Sequence, residues 1–184
     1  ARSHYLNGHW SAETLYALLR KQAHGRPDAF ALRDPDQRLS WADLLARVDL
    51  VAHTLDQAGL STGDRVSVWL PNRVESVIVM LACSRNGYVC NPSLHESYTV
   101  EEIASLLERI DCRAVFVQPG YGADADQQEA VKRLSRLPGL RAIYTTQPHD
   151  QRGAVPLGVT GSRSERETGV EKVPGMAGPP SFTA

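Results

Sequence analysis

The longest apolar segment of the chain runs from Val74 to Cys83, and the residues around it build one unit. A Gly63-Asp64 turn leads into a short apolar piece, Val66 to Leu70, which Pro71 breaks. Gly87 ends the long segment, and a second short β-like piece, Tyr88-Val89-Cys90, precedes Pro92. Strand, helix and strand in about thirty residues make a βαβ unit, whose parallel strands require a crossover helix. Asn72 is the expected cap of that helix, with Glu75 three positions on to complete a capping box. Val74, Val77, Ile78, Val79, Leu81 and Ala82 cover more than one face, which predicts burial on most sides. Each such side chain gains roughly 1.5–3 kcal/mol on burial, so this unit is the expected centre of the core.

The flanking sequence extends the alternation. Ser11 is the expected cap of a first helix through Thr14, Leu15, Leu18 and Leu19, which Gly25 and Pro27 end. Ala29 to Arg33 reads as a strand and Asp34-Pro35-Asp36 as a turn. Ser40 then caps a helix with Asp43 at its third position, and Leu44, Val48, Val51, Ala52 and Leu55 form one apolar stripe. Gly59 stops it as a left-handed residue would. Asn91-Pro92-Ser93 is a loop. Thr99 and Glu102 form another capping box, opening a helix with Ile103, Leu106, Leu107 and Ile110 on one face. Arg113 to Val117 is a strand, a helix follows from about Asp126 to Leu137 with Val131 and Leu134 inward, and Arg141 to Tyr144 is the last strand. The spacing predicts an α/β domain over 5–146, a largely parallel sheet with flanking helices.

From about Gln147 the character changes. Glycine and proline recur every few residues among mixed charges (Arg163, Glu165, Arg166, Glu167, Glu171, Lys172), and no helical or strand period is sustained. Such a stretch buries too little surface to offset its ordering entropy. The expectation for 147–184 is a disordered or loosely attached tail.

Gly63-Asp64-Arg65-Val66, the apolar strand, Leu70-Pro71-Asn72, Glu75, Leu81-Ala82-Cys83 and Gly87 form an ordered set. That set resembles the amino-terminal part of the adenylate-forming (AMP-dependent synthetase/ligase) superfamily: acid–CoA ligases, aryl-acid AMP ligases, peptide-synthetase adenylation domains and luciferases. Leu39-Ser40-Trp41 with Asp43 stands where the superfamily has a Leu-Ser/Thr-Tyr-x-Glu-Leu run, with tryptophan for tyrosine and aspartate for glutamate. Tyr5, Gly8, Trp10 and Pro27-Asp28-Ala29 fit the front of aryl- and alicyclic-acid activating members inexactly. Asn91-Pro92-Ser93-Leu94-His95 and Tyr98 to Ile103 look most like ligases for cyclic or aromatic carboxylic acids.

The resemblance covers 5–146, about the front third of a superfamily enzyme, and implies the amino-terminal subdomain of an AMP-forming acid–CoA ligase. There ATP and a carboxylate give an acyl-adenylate and pyrophosphate, and CoA then displaces AMP, so ATP, magnesium and CoA belong to the full-length family. The superfamily holds the ATP phosphates in a Ser/Thr/Gly-rich loop with a downstream lysine, because a triphosphate needs backbone N–H groups and a cation. Gly158-Val159-Thr160-Gly161-Ser162 and the separate Lys172 do not match that spacing. The magnesium-holding carboxylate, the hinge and the small carboxy-terminal domain also have no counterpart, and the tail resembles no part of the family. The expectation is therefore a fragment that is inactive alone, with no catalytic, cofactor-binding or metal residue and no cofactor of its own. A gene fragment, a frameshift and an altered exon each account for the pattern. Its expected partners are the remainder of the enzyme or a second copy, and a non-catalytic interaction or self-associating module derived from such an enzyme is the alternative.

Composition narrows the field without adding chemistry. Hydrophobic residues at 42% and charged residues at 22% fit a globular chain. A net charge of −1 argues against a nucleic-acid binder. No apolar run reaches the roughly eighteen residues of a membrane span, and the start is no signal peptide, which points to a cytoplasmic protein. Cys83, Cys90 and Cys112 lack metal spacing and are odd in number; Cys83 and Cys112 read as small buried hydrophobes, and the compartment as a reducing one. His95 reads as a loop histidine in water, the competing reading being a small ligand-binding site near His95 and Tyr121. His53 reads as surface, and His4, His9, His24 and His149 have no metal spacing. Glu101, Glu102 and Glu108 read as a solvated helix face, Trp41 and Trp69 as packing residues, and Gly120-Tyr121-Gly122 as a tight loop.

Overall fold

The computed structural model describes residues 3–4, 7, 13–92, 95–125, 129–146 and 158–160. Twelve elements follow in order: α1 (Leu15–Gly25), β1 (Phe30–Arg33), β2 (Arg38–Ser40), α2 (Trp41–Gln57), β3 (Arg65–Trp69), α3 (Val74–Asn86), β4 (Val89–Asn91), α4 (Val100–Arg109), β5 (Cys112–Val117), α5 (Ala130–Leu134), β6 (Ala142–Thr145) and β7 (Gly158–Thr160). β1 and β2 form an antiparallel hairpin. The main sheet has the order β4-β3-β5-β6-β7. Its first four strands are parallel, and β7 pairs antiparallel to β6 with Tyr144 opposite Val159. The α/β architecture expected from the pattern is the one present.

The period-2 alternation of the strands divides the core into two layers. Val66 and Val68 of β3, Ala114 and Phe116 of β5, and Ala142 and Tyr144 of β6 pack with α1, α2 and α3. Trp69, Cys112, Val115, Val117 and Ile143 point the other way, into α4 and α5. In the first layer the Phe116 and Tyr144 rings stack at 4.7 Å. α3 is buried nearly all round, through Val74, Ile78, Val79, Leu81, Ala82 and Cys83, as its composition requires.

The starts of α2 and α4 follow local rules. Ser40 and Asp43 form a reciprocal capping box on α2, and Thr99 and Glu102 do the same on α4. Gly59 and Gly87 adopt positive φ, 77° and 74°, directly after α2 and α3. Only glycine takes that left-handed conformation without a Cβ penalty, which fixes where both helices stop.

The start of α3 departs from expectation. Arg73, not Asn72, occupies the N-cap position, and no side chain of the adjacent sequence caps the helix. The Val74 N–H instead donates to the carboxylate of Asp34 at 3.1 Å, across from the β1–β2 turn. The other Asp34 oxygen accepts the N–H groups of Asp36 and Gln37, each at 2.9 Å. One carboxylate thus closes the hairpin turn and caps a distant helix. Glu75 does not complete a capping box because it is buried beside Arg73, with 5% and 7% of each residue exposed.

Smaller corrections follow from tertiary placement. α1 is capped by Thr14, whose hydroxyl accepts the Ala17 N–H at 3.1 Å, and Ser11 lies outside the described residues. Leu15 and Leu18 on that helix are exposed, and only Leu19 and Ala23 enter the core. α5 is one turn, Ala130–Leu134, shorter than the 126–137 expected, and residues 126–128 lie outside the described set. Leu134 is inward and Val131 partly so. Within the segment expected to be a disordered or loosely attached tail, Gly158–Thr160 form an edge strand paired with β6. The rest of that segment lies outside the described residues.

Candidate functional site

Parallel α/β sheets bind ligands beyond the carboxyl ends of their strands, which makes that edge the candidate site. Here β3 ends at Trp69, β4 at Asn91, β5 at Val117 and β6 at Thr145. Trp69 is fully buried, and its indole N–H donates to the backbone carbonyl of His95 at 3.1 Å. The Tyr121 ring meets the same indole edge-on at 6.1 Å between centroids. Gly122, at φ 137°, lies so close that a Cβ there would sit 2.6 Å from Trp69 Cζ2. Only a residue without a side chain permits that approach.

Two further bonds lace the loops together over this indole. Ala123 N–H donates to the Tyr98 carbonyl at 2.9 Å, and Asp124 accepts the Val100 N–H at 2.8 Å at the start of α4. Residues 95–100 and 118–125 are therefore one folded edge. A buried tryptophan with its N–H satisfied is a packing anchor, as the sequence suggests for Trp69.

His95 and Tyr121 are brought to the same indole but not into a shared cavity. His95 takes part through its main chain, and its exposed ring stacks on Tyr98 at 6.4 Å. Burial pushes the Tyr121 phenol up, and the nearby Glu96 carboxylate adds to that rise. A cavity of about 610 Å³ opens beside the loop, lined by Val117, Pro119, Gly120, Ala125, Glu129 and Val131 among others, and neither His95 nor Tyr121 borders it.

A polar relay supports this edge from the other side of the sheet end. Arg47 donates to the Gln37 side-chain oxygen at 2.6 Å, and Gln37 donates in turn to Glu75 at 2.8 Å. Arg73 donates to Glu75 at 3.2 Å and to the Gln118 side-chain oxygen at 2.9 Å. The relay ties α2, the hairpin and α3 to the first loop residue after β5. Buried charges of opposite sign are tolerated because each is paired and hydrogen-bonded. The Thr146 N–H donates to the Val117 carbonyl at 3.1 Å, while the buried Thr146 hydroxyl has no partner among the described residues.

Arg73, Gln118, Asp34 and Thr146 did not stand out as edge residues in the sequence. The signal present was Arg73 with Glu75 at the mouth of an otherwise apolar helix, where a charge must find a partner. Glu101 is held by Arg133 in a two-pronged pair with both contacts at 2.6 Å, and Glu102 serves the Thr99 cap, so both carboxylates have structural roles. Hydrogen bonds from Arg133 and from Thr99 hold these two carboxyls below their ordinary value. His53 is exposed, as expected. Trp41 is partly buried under the Arg26 guanidinium, 5.4 Å from the ring centroid.

The described residues do not fit a magnesium site: no group of three or more His, Cys, Asp or Glu among them converges on one point. No helix among them is long and apolar enough to cross a membrane.

Comparison with known proteins places this edge in context. Residues 19–173 match the family described as AMP-binding enzyme. The match runs past residue 146, so the segment expected to resemble no part of the family is partly within it. The chain is 40% identical over 136 residues to the 2-hydroxy-7-methoxy-5-methyl-1-naphthoate–CoA ligase of Streptomyces carzinostaticus, covering 74% of this chain and 24% of that protein. It is 30% identical over 109 residues to the mitochondrial medium-chain acyl-CoA ligase of Homo sapiens, covering 58% of this chain and 18% of that protein. Among solved structures, apo MbtA of Mycobacterium smegmatis superposes with a TM-score of 0.64 at 26% identity, covering 79% of this chain and 26% of that one. The chain spans a quarter or less of the length of these curated relatives. With 19–173 matched out of 184 residues, the chain belongs to the AMP-binding enzyme family.

Proposed function

We propose that these residues are the amino-terminal subdomain of an AMP-forming ligase that joins a cyclic or aromatic carboxylic acid to CoA. The observation that carries this reading is the 40% identity over 136 residues to a naphthoate–CoA ligase. In the complete enzyme, the carboxylate attacks the α-phosphorus of ATP, pyrophosphate leaves, and the CoA thiol then displaces AMP from the acyl-adenylate. Such chemistry rests on offsetting phosphate charge and holding the carboxylate in line. The described residues supply the frame for it: the Trp69-centred edge and the Arg73–Glu75–Gln118 relay fix the loops at the strand ends.

The 184 residues alone do not form an acyl-adenylate in this reading, because Gly158–Ser162 and Lys172 lack the spacing of a phosphate cradle. A chimera tests the family assignment. Residues 19–146 of this chain replace the matching part of the naphthoate–CoA ligase, and acyl-CoA formation is followed with naphthoate and benzoate against a medium-chain fatty acid. Turnover with the aryl acids supports the reading. A folded chimera that turns over only the fatty acid contradicts the aromatic assignment, and one that turns over none of the acids contradicts the ligase reading.

A further inference from the structure

Ala17, Arg20, Lys21 and His24 recur along α1 at the three- and four-residue spacing that puts them on one helix face. With Ala23 and with Leu45 of α2 they line a groove of about 560 Å³ between the two helices. Ala23 is buried and Leu45 packs against the core, so the floor is apolar. Its small alanines let another helix approach closely. The rim is basic: Arg20, Lys21 and His24 are exposed, and no acidic residue among those described lines the groove. Arg20 and His24 have no hydrogen-bond or ion-pair partner among the described residues. Lys21 pairs with Glu13, which lies outside the lining. On the facing helix Asp43 is committed to the Ser40 cap, and Asp49 to Tyr16 and Arg85. A basic residue in the last turn of a helix answers its dipole, which accounts for His24 but not for Arg20 and Lys21 in mid-helix.

We propose that this groove docks an acidic amphipathic helix of a partner protein. Uncompensated positive charge beside an apolar floor is complementary to a helix with one apolar stripe flanked by carboxylates. α1 spans about 16 Å at 1.5 Å per residue, so a partner of about three turns covers it. In a helix lying alongside α1, carboxylates at i and i+4 face Arg20 and His24, which share that spacing. The apolar stripe then settles on Ala17, Ala23 and Leu45. Exposed charge pairs of this kind set orientation and encounter rate more than affinity, which comes from the apolar contact. A helix lying on a lipid surface would instead bury its exposed leucines, and Leu15 and Leu18 do not line the groove. The contact is separate from the strand-end edge and does not depend on the ligase reading.

The test titrates the whole chain into a fluorescein-labelled peptide of about four helical turns, with leucines on one stripe and glutamates beside it. Fluorescence anisotropy is expected to show saturable binding that weakens several-fold in about 0.3 M salt. Arg20→Glu with His24→Glu is expected to weaken it about tenfold or more without moving the thermal unfolding midpoint, since both side chains are exposed. Arg20→Gln with His24→Gln repeats the test should the double reversal disturb folding. Arg109→Glu, at the end of α4 in the other layer, is expected to leave binding unchanged. A lysine version of the peptide, and one broken by a central proline, are expected not to bind. No saturable binding, equal binding of either control peptide, or equal effects of the α1 double variant and Arg109→Glu would each overturn the proposal. Capture of the chain by phosphatidylglycerol vesicles in place of the peptide would also overturn it, and would make the basic face a lipid contact.

Discussion

Helices α2 and α4 begin with capping boxes made entirely from their own sequence, whereas α3, the most buried of the three, begins with none. Its first N–H is satisfied by Asp34, from a hairpin turn far away in sequence, and its first turn carries a buried ion pair. A solvent-facing helix start can be capped by whatever side chain is adjacent. The start of α3 is instead walled in by the hairpin and the β5 loop, so its partners must come from those elements. A local cap contributes about 1 kcal/mol on its own. The α3 start contributes only if the hairpin, α2 and the strand ends are already in place, which makes it a cooperative joint.

The sharpest way to break this comparison is to remove one partner of the buried pair. Glu75→Ala removes the carboxylate that pairs with the buried Arg73 at 3.2 Å and is expected to cost about 3 kcal/mol in urea unfolding. The double variant Arg73→Met with Glu75→Leu is expected to recover most of that loss, because an apolar replacement strands no charge. Recovery would show that the joint is costly to break without the charges themselves being its main source of stability.

Next in size is the glycine that admits the Trp69 ring. Gly122→Ala places a Cβ against the indole at a positive φ, and a destabilisation of about 1–3 kcal/mol is expected from thermal unfolding. Asp34→Ala removes the distant cap and the turn bonds together, for an expected loss of about 1–2 kcal/mol. Thr99→Ala, which removes only a local cap, should cost about 1 kcal/mol. Asn72→Ala should stay within about 0.5 kcal/mol, since Asn72 caps nothing. Equal losses for Asn72 and Asp34 would collapse the comparison.

The pH dependence sharpens it further. Burial of Asp34 opposes its ionisation, but the N–H groups of Val74, Asp36 and Gln37, with the Arg73 charge, outweigh this and hold its carboxyl below the ordinary 3.8. The unfolded chain therefore takes up this proton first as pH falls. The stabilisation is complete above about that ordinary value and fades as pH drops through the depressed folded value. Asp43 behaves alike, held down by the Ser40 hydroxyl and then the Ser40 N–H. Unfolding free energies measured between neutral and strongly acid pH should show a shallower acid slope for Asp34→Asn than for the parent chain.

Much of the fold could be read from local pattern because its signals were local. The Ser40 and Thr99 boxes, Gly59, Gly87 and the apolar strands around Val66 and Val115 each act within a few residues. Asp34 gave only a turn signal, and its second role depends on where a hairpin docks. Glu75 fitted a capping-box template, but burial beside Arg73 redirected it. Thr14 displaced the expected cap of α1, and β7 exists only by pairing with β6, which no isolated three-residue pattern announces. At the strand ends, Trp69 read correctly as packing, while the His95 carbonyl and Gly122 that enclose it are main-chain partners without a side-chain signature.

The most direct test of the functional account is isothermal titration of ATP–magnesium into the purified chain, with and without benzoate. The account predicts no saturable heat at high protein concentration, since the spacing of Gly158–Ser162 and Lys172 in the sequence is not the one expected of a phosphate cradle. Saturable binding would contradict it and would place a working nucleotide site within these 184 residues.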